Sequence, residues 1–168
     1  KCKTISLKNS KMFLKSITST AEHAWLLFLE SQKSSQNFNI VNNDINWCRD
    51  KSNISQLSKK NIGVIGLGRI GSLIAKYASS FGMNIFYTDI KKIYCPKKYK
   101  KKSLKNILNQ AEYIFLCASY NGKCILNSSV LKNIDKSIHT LINVSRGELI
   151  DELALSKIIK KKLVLKYF

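Results

Sequence analysis

The sequence predicts an α/β fold built on a doubly wound parallel sheet, and three observations lead there. First, the stretch "NIGVIGLGRIG", residues 61–71, sets a short β-branched apolar run directly against a cluster of glycines. Second, similar runs recur at 83–88, 112–119 and 139–144, separated by segments whose apolar residues fall at helical spacing. Continuous apolar runs are what strands buried on both faces require, and alternation with helices makes such strands parallel. Third, 168 residues, 45% of them apolar, are enough for one domain with a substantial core.

Taken in order, Ile5, Ser6 and Leu7 form a short candidate strand without an evident partner. In "STAEHAWLLFLE", Ser19 reads as an N-cap with Glu22 three residues on, a capping box. Ala21, Ala24, Trp25, Leu27, Phe28 and Leu29 cover most of that helix's circumference. Such a helix is expected between two layers or against another subunit. Residues 31–60 are polar and rich in serine and asparagine, with Trp47 as the one large anchor, and read as irregular connection. After the strand at 61–65, Ile70, Leu73, Ile74, Ala75, Tyr77, Ala78 and Phe81 mark a helix that Gly82 stops. A second strand over 83–88 ends on Asp89, and "KKIYCPKKYKKK" follows as a surface loop. A helix over 103–109 precedes a third strand in "EYIFLCAS", and Asn127 can cap a helix running to Ile134. "HTLINV" is a fourth strand, and its loop holds Ser145, Arg146 and Gly147. Asp151 can cap a last helix to about 162, and "LVLKYF" begins a further strand.

Glycine costs backbone entropy in regular structure, so three within six residues need a reason that a side chain would obstruct. Strand, glycine turn, helix, strand and acid in register supply one: the G-x-G-x-x-G of a dinucleotide site. Gly66 would make the tight turn, Gly68 would let backbone approach a pyrophosphate, and Gly71 would let the helix pack close to the strand. The phosphates would sit on the unpaired N–H groups of the helix N-terminus. Asp89, 18 residues beyond Gly71, is placed to accept hydrogen bonds from the adenosine ribose.

The net charge of +19 raises nucleic acid as a partner, but only Arg49, Arg69 and Arg146 are arginines among the 29 basic residues. Bidentate clamps and base readout favour arginine over lysine, and the lysines are spread along the chain. No specific nucleic-acid partner is therefore expected. There is no run of about 18 apolar residues and no signal-peptide pattern, so no membrane partner and a cytoplasmic location are expected. Cys2, Cys48, Cys95, Cys117 and Cys124 lack C-x-x-C spacing and read as reduced thiols, with no metal site.

Three stretches resemble one family. "ITSTAEHAWLLFLE", "LSKKNIGVIGLGRIGSLIAKYASSFGMNIFYTD" and "LINVSRGELIDELAL" are similar, in order and spacing, to the D-isomer-specific 2-hydroxyacid dehydrogenases, on the phosphoglycerate-dehydrogenase-like branch. The resemblance implies a Rossmann-like NAD-binding domain and hydride transfer between nicotinamide and a small 2-hydroxy or 2-keto acid. It maps NAD binding onto Gly66, Gly68, Arg69, Ile70, Gly71 and Asp89, and the substrate carboxylate onto Arg146 as the catalytic-site residue. A planar guanidinium suits a carboxylate through two parallel hydrogen bonds. Asp89 favours NAD over NADP by repelling a 2′-phosphate, although Lys91 and Lys92 could neutralise one. The family commonly dimerises through its nucleotide domain, so a homodimer is implied.

The departures shape the expectation further. The family's histidine acid/base and its orienting glutamate lie well downstream of the arginine loop, whereas the 22 residues after Arg146 hold no equivalent. His23 sits in a helix's first turn beside a Glu22 that faces elsewhere, and His139 begins a strand. After "FLCAS" the family's proline and threonine are missing from "SYNGKCILN". We therefore expect a fold incomplete at both ends, from a longer protein or a degraded copy. Residues 1–18 would be a hinge or substrate-domain remnant and 19–168 the NAD-binding domain, inactive alone. The alternative is a non-catalytic NAD-binding regulatory module, which needs the glycine loop and no histidine.

Overall fold

A computed structural model describes residues 10–33, 56–134, 138, 140–161 and 166–168. The strand at Ile5, Trp47, His139, Cys2 and Cys48 lie outside the described residues. Asn61–Ile65 forms β1 and pairs in parallel with β2 (Asn84–Thr88) on one side and β4 (Tyr113–Leu116) on the other. Beyond β2 lies the short β3 (Lys100–Lys101); beyond β4 lie β5 (Thr140–Asn143) and β6 (Lys166–Tyr167). All pairs are parallel, and the order is β3-β2-β1-β4-β5-β6. This is the doubly wound arrangement, in which the chain builds outward from β1 in one direction and then in the other.

Side chains of a strand point alternately to the two faces, so each strand feeds two cores. Ile62, Val64, Ile85, Tyr87, Tyr113, Phe115 and Ile142 enter one; Ile65, Phe86, Ile114, Leu116 and Leu141 enter the other. On the first face lie α2 (Ser19–Lys33) and α3 (Arg69–Ser80), preceded by the short α1 (Lys11–Ser16). On the second lie α4 (Leu104–Gln110), α5 (Ser128–Leu131) and α6 (Glu152–Lys161). Gly63 is where α4 comes closest: a Cβ there would lie 2.4 Å from Ile107 Cγ2.

The long apolar helix is covered by its own chain. Ala21, Ala24, Trp25 and Phe28 are buried, whereas Leu26 stands 51% exposed. Trp25 packs on Phe28, Phe81, Tyr77 and Phe115 at ring separations of 4.9 to 6.1 Å. Phe28 in turn meets Tyr113 and Phe115 edge-on. Such stacked, tilted and edge-on pairs each add roughly 0.5–1.5 kcal/mol beyond area burial, so α2 is stapled to the sheet chiefly by aromatics.

Several boundaries differ from the sequence expectation, each for a local reason. The helix cap is Thr18, one residue before Ser19: its carbonyl accepts from Ala21 and Glu22 N–H, and its hydroxyl meets Glu22 Oε1 at 2.5 Å. The region expected to be irregular from residue 31 opens as helix. Ser31 Oγ donates to the Phe28 carbonyl, and Gln32 Nε2 donates to Thr140 Oγ1 on β5 at 3.0 Å. The helix capped by Asn127 ends at Leu131, well short of Ile134, because the Asn133 amide donates back to the Ser129 and Val130 carbonyls. The lysine-rich segment carries β3 at its end, where a two-residue edge strand is too short for a pattern. Asp151 caps α6 as expected, accepting from Ala154 N–H, while Ser103, expected as the first helical residue, is the cap of α4 and accepts from Asn106 N–H. Gly82 stops α3 with φ +71°.

Below β1, Lys60 Nζ sits 2.7 Å from Glu112 Oε2, and the hydrogen bond it donates raises the Lys60 pKa. Its contribution is present below the ordinary lysine value and fades as pH rises through the folded one. With Lys60 42% exposed, it is worth under about 1 kcal/mol.

Packing therefore outweighs charge here. Phe28→Ala is expected to cost about 3–5 kcal/mol in urea unfolding, as for a fully buried aromatic, and Leu26→Ala, on the exposed side of the same helix, less than about 0.5 kcal/mol. Equal effects would mean that the helix does not pack on the sheet through this face.

Candidate functional site

Because the strands run parallel, the carboxyl ends of β1, β2, β4 and β5 share one edge. Ile65 pairs with both Thr88 and Leu116, and Leu116 pairs with Asn143. The loops after β1 and β4 leave toward opposite faces, which opens a crevice at the switch in strand order.

The glycine loop occupies that point, and each glycine has a different surrounding. Gly66 has φ +91°, and a Cβ there would lie 2.7 Å from Ala118 backbone atoms. A Cβ on Gly71 would lie 2.1 Å from the Gly66 carbonyl oxygen and 3.0 Å from Val64. Gly68 is different: nothing in the protein lies within 4 Å of where its Cβ would be. Its φ of −76° is one any residue adopts, and it is the N-cap of α3 without a capping side chain. Internal packing thus explains Gly66 and Gly71, while at Gly68 the open backbone and the uncapped helix start face outward. This is the cradle that a pyrophosphate needs, so the residues present fit a dinucleotide.

Asp89 does more than its spacing suggested. Oδ2 accepts from Leu67 N–H at 2.8 Å, and Oδ1 accepts from Lys91 N–H at 2.8 Å. The carboxylate therefore buckles the glycine loop to the end of β2. A carboxylate has about four acceptor positions, so two remain for ribose hydroxyls. Lys91 and Lys92 are exposed beside it. Ile70 packs its side chain on the first core, leaving its backbone at the helix start. Arg69 is exposed, and its guanidinium is committed to the Ile17 carbonyl between α1 and α2.

Arg146 leaves the end of β5 in extended conformation, exposed, ahead of a 3-10 turn at Gly147–Leu149. Its loop is tied to the end of β4: Leu116 O accepts from Val144 N–H and Ser145 Oγ, both at 3.2 Å. Sequence reasoning missed these ties. Asn143 and Ser145 were visible beside the arginine, but only the pairing of β4 with β5 brings the Leu116 carbonyl to Val144 and Ser145. His23 is exposed on α2 and takes no part in this edge. Among the described residues no group of histidines, cysteines and acids could hold a metal ion.

Cys117 follows β4 at this edge, and burial pushes its thiol up to about 12. Cys124, in the next loop, is exposed.

Comparison with known proteins agrees with this geometry. A family model described as "D-isomer specific 2-hydroxyacid dehydrogenase, NAD binding domain" matches residues 25–167. A candidate 2-hydroxyacid dehydrogenase of Staphylococcus haemolyticus is 36% identical over 118 residues, 64% of this chain and 35% of that protein. A glycerate dehydrogenase related protein of Thermoplasma acidophilum superposes with TM-score 0.76 at 23% identity, over 89% of this chain and 53% of the other. An acyclic imino acid reductase in complex with NADPH and D-Arg superposes with TM-score 0.75 at 25% identity, over 92% of this chain and 52% of the other. The chain thus spans between about a third and a half of the length of these relatives.

Two predictions follow from the loop geometry. Gly68→Ala is expected to leave unfolding free energy within about 1 kcal/mol of the parent while weakening NADH binding tenfold or more, read by fluorescence titration. Gly71→Ala is expected to lose stability and binding together, because backbone must move. At pH 8, iodoacetamide should label Cys124 and spare Cys117, with Cys117 labelling still rising at pH 10; rapid Cys117 labelling at pH 8 would contradict its burial.

Proposed function

The chain belongs to the D-isomer specific 2-hydroxyacid dehydrogenase family, as its NAD-binding domain, and from that premise we propose an NAD-dependent oxidoreductase acting on a small D-2-hydroxy or 2-keto acid. The observation that carries the reading is the meeting, on one sheet edge, of the Gly66–Gly71 loop, Asp89 and the loop presenting Arg146. NAD, when bound, supplies the hydride acceptor at its nicotinamide ring. The chain's part is to hold and orient. Backbone N–H groups at the start of α3 take the pyrophosphate, and Gly68 lets them come close. Asp89 takes the ribose hydroxyls and repels a 2′-phosphate, which supports NAD over NADP. Arg146 takes the substrate carboxylate through two charge-assisted hydrogen bonds and so aligns the 2-carbon. The proton is exchanged with a group other than those gathered at this edge.

The domain reading assigns 1–18 to a hinge or substrate-domain remnant and 19–168 to the nucleotide domain. We place the enzyme in the cytoplasm as a homodimer; among the described residues no helix is long and apolar enough to cross a membrane.

The test is Arg146→Ala in the complete protein, assayed with NADH and a panel of 2-keto acids. Loss of two charge-assisted bonds predicts a fall in kcat/KM of about a hundredfold or more, with NADH affinity within twofold of the parent. Undiminished turnover would remove Arg146 from the substrate site. No turnover by the unaltered protein, with NADH still bound, would favour the regulatory module.

A further inference from the structure

We propose that Asn143 is the positioning residue for Arg146, its side-chain amide closing the loop that aims the guanidinium at the substrate. This rests on the assignment of Arg146 to the substrate carboxylate.

Asn143 is the last residue of β5, and its side chain turns back along the loop with both ends engaged. Oδ1 accepts from Ser145 N–H at 3.0 Å, and Nδ2 donates to the Arg146 carbonyl at 3.0 Å. The Arg146 carbonyl also accepts from Leu149 N–H at 3.2 Å, the first bond of the 3-10 turn. The peptide bearing the arginine is therefore held from both sides. On the β4 side, Leu116 O holds Val144 N–H and Ser145 Oγ. The loop is pinned at every residue from 143 to 146, while the Arg146 guanidinium has no hydrogen-bond partner among the described residues.

That combination has a physical meaning. A free guanidinium on a mobile loop would lose both loop and side-chain freedom on gripping an anion. With the loop already ordered, only the side chain's freedom is lost, so affinity rises without a new contact to the ligand. Only an amide can do this at position 143. An aspartate could accept from Ser145 N–H but could not donate to the Arg146 carbonyl, and its charge would compete for the guanidinium. A serine is too short to reach both partners.

The experiment measures two affinities in the complete protein. NADH is titrated first; oxamate, an unreactive amide analogue of a 2-keto acid, is then titrated into the NADH-saturated protein. The variants are N143A, N143D and R146A. For N143A and N143D, NADH affinity within twofold of the parent and oxamate affinity weakened about tenfold or more is the expected result, since each loses at least one structural hydrogen bond. A merely structural role would weaken both ligands together. If R146A abolishes oxamate binding while N143A and N143D bind it like the parent, Asn143 is not the positioning residue. If R146A itself binds oxamate like the parent, the carboxylate assignment fails and this inference falls with it. Should N143A fail to fold, N143D, of the same size, decides between these results. Equal loss of both ligands in N143D would reassign Asn143 to holding the sheet edge and overturn the proposal.

Discussion

A close backbone approach holds this edge of the molecule together: the first turn of α3 lies against the Gly66 carbonyl at a distance no side chain would permit. From that contact, α3 takes its angle on the sheet. Ile74, Ala75 and Ala78 then reach the first core, and Trp25 and Phe28 of α2 cover it. The same approach brings Ala118, after β4, against Gly66. Two loops that diverge to opposite faces are thereby kept in contact at their root, and the crevice between them has a rigid floor.

On that floor, polar groups act as ties. Asp89 spans from the end of β2 to the glycine loop, and Leu116 O holds the loop after β5. Each tie spends a side-chain or carbonyl acceptor on a backbone N–H or a hydroxyl, where a net hydrogen bond is worth about 0.5–1.5 kcal/mol. None is large beside the burial of Phe28 or Tyr113. Their importance is geometric, since a group that must meet a ligand within a few tenths of an ångström depends on what its loop is tied to. The one ion pair described, Lys60 with Glu112, lies at the opposite end of β1 and stabilises only weakly.

Much of this was legible in the sequence. Core strands read correctly because burial on both faces leaves a run of apolar residues that nothing else explains. The glycine loop read correctly because steric exclusion is written in residue type: Gly66 and Gly71 have no alternative. Spacing singled out Asp89 only as a candidate for the ribose. Its hydrogen bond to Leu67 depends on how β2 is registered against β1, which no local pattern encodes. The helix end at Leu131 was missed because Asn133 folds back on carbonyls that a capping rule does not weigh. The short β3 was missed because two lysines have no strand periodicity to read.

What the sequence alone determined is therefore the set of local necessities: where a side chain is forbidden, where an apolar run must be buried, and, at Asn127 and Asp151, which cap opens a helix. Strand order and register were decided only in the tertiary structure, because parallel strands meet through crossovers that local patterning does not specify. It is register that sets Ile65 beside Thr88 and Leu116, and Leu116 beside Asn143. Through it, residues as far apart in the chain as Leu67 and Arg146 come to one edge, and Val144 and Ser145 acquire the Leu116 carbonyl that ties the arginine loop to β4.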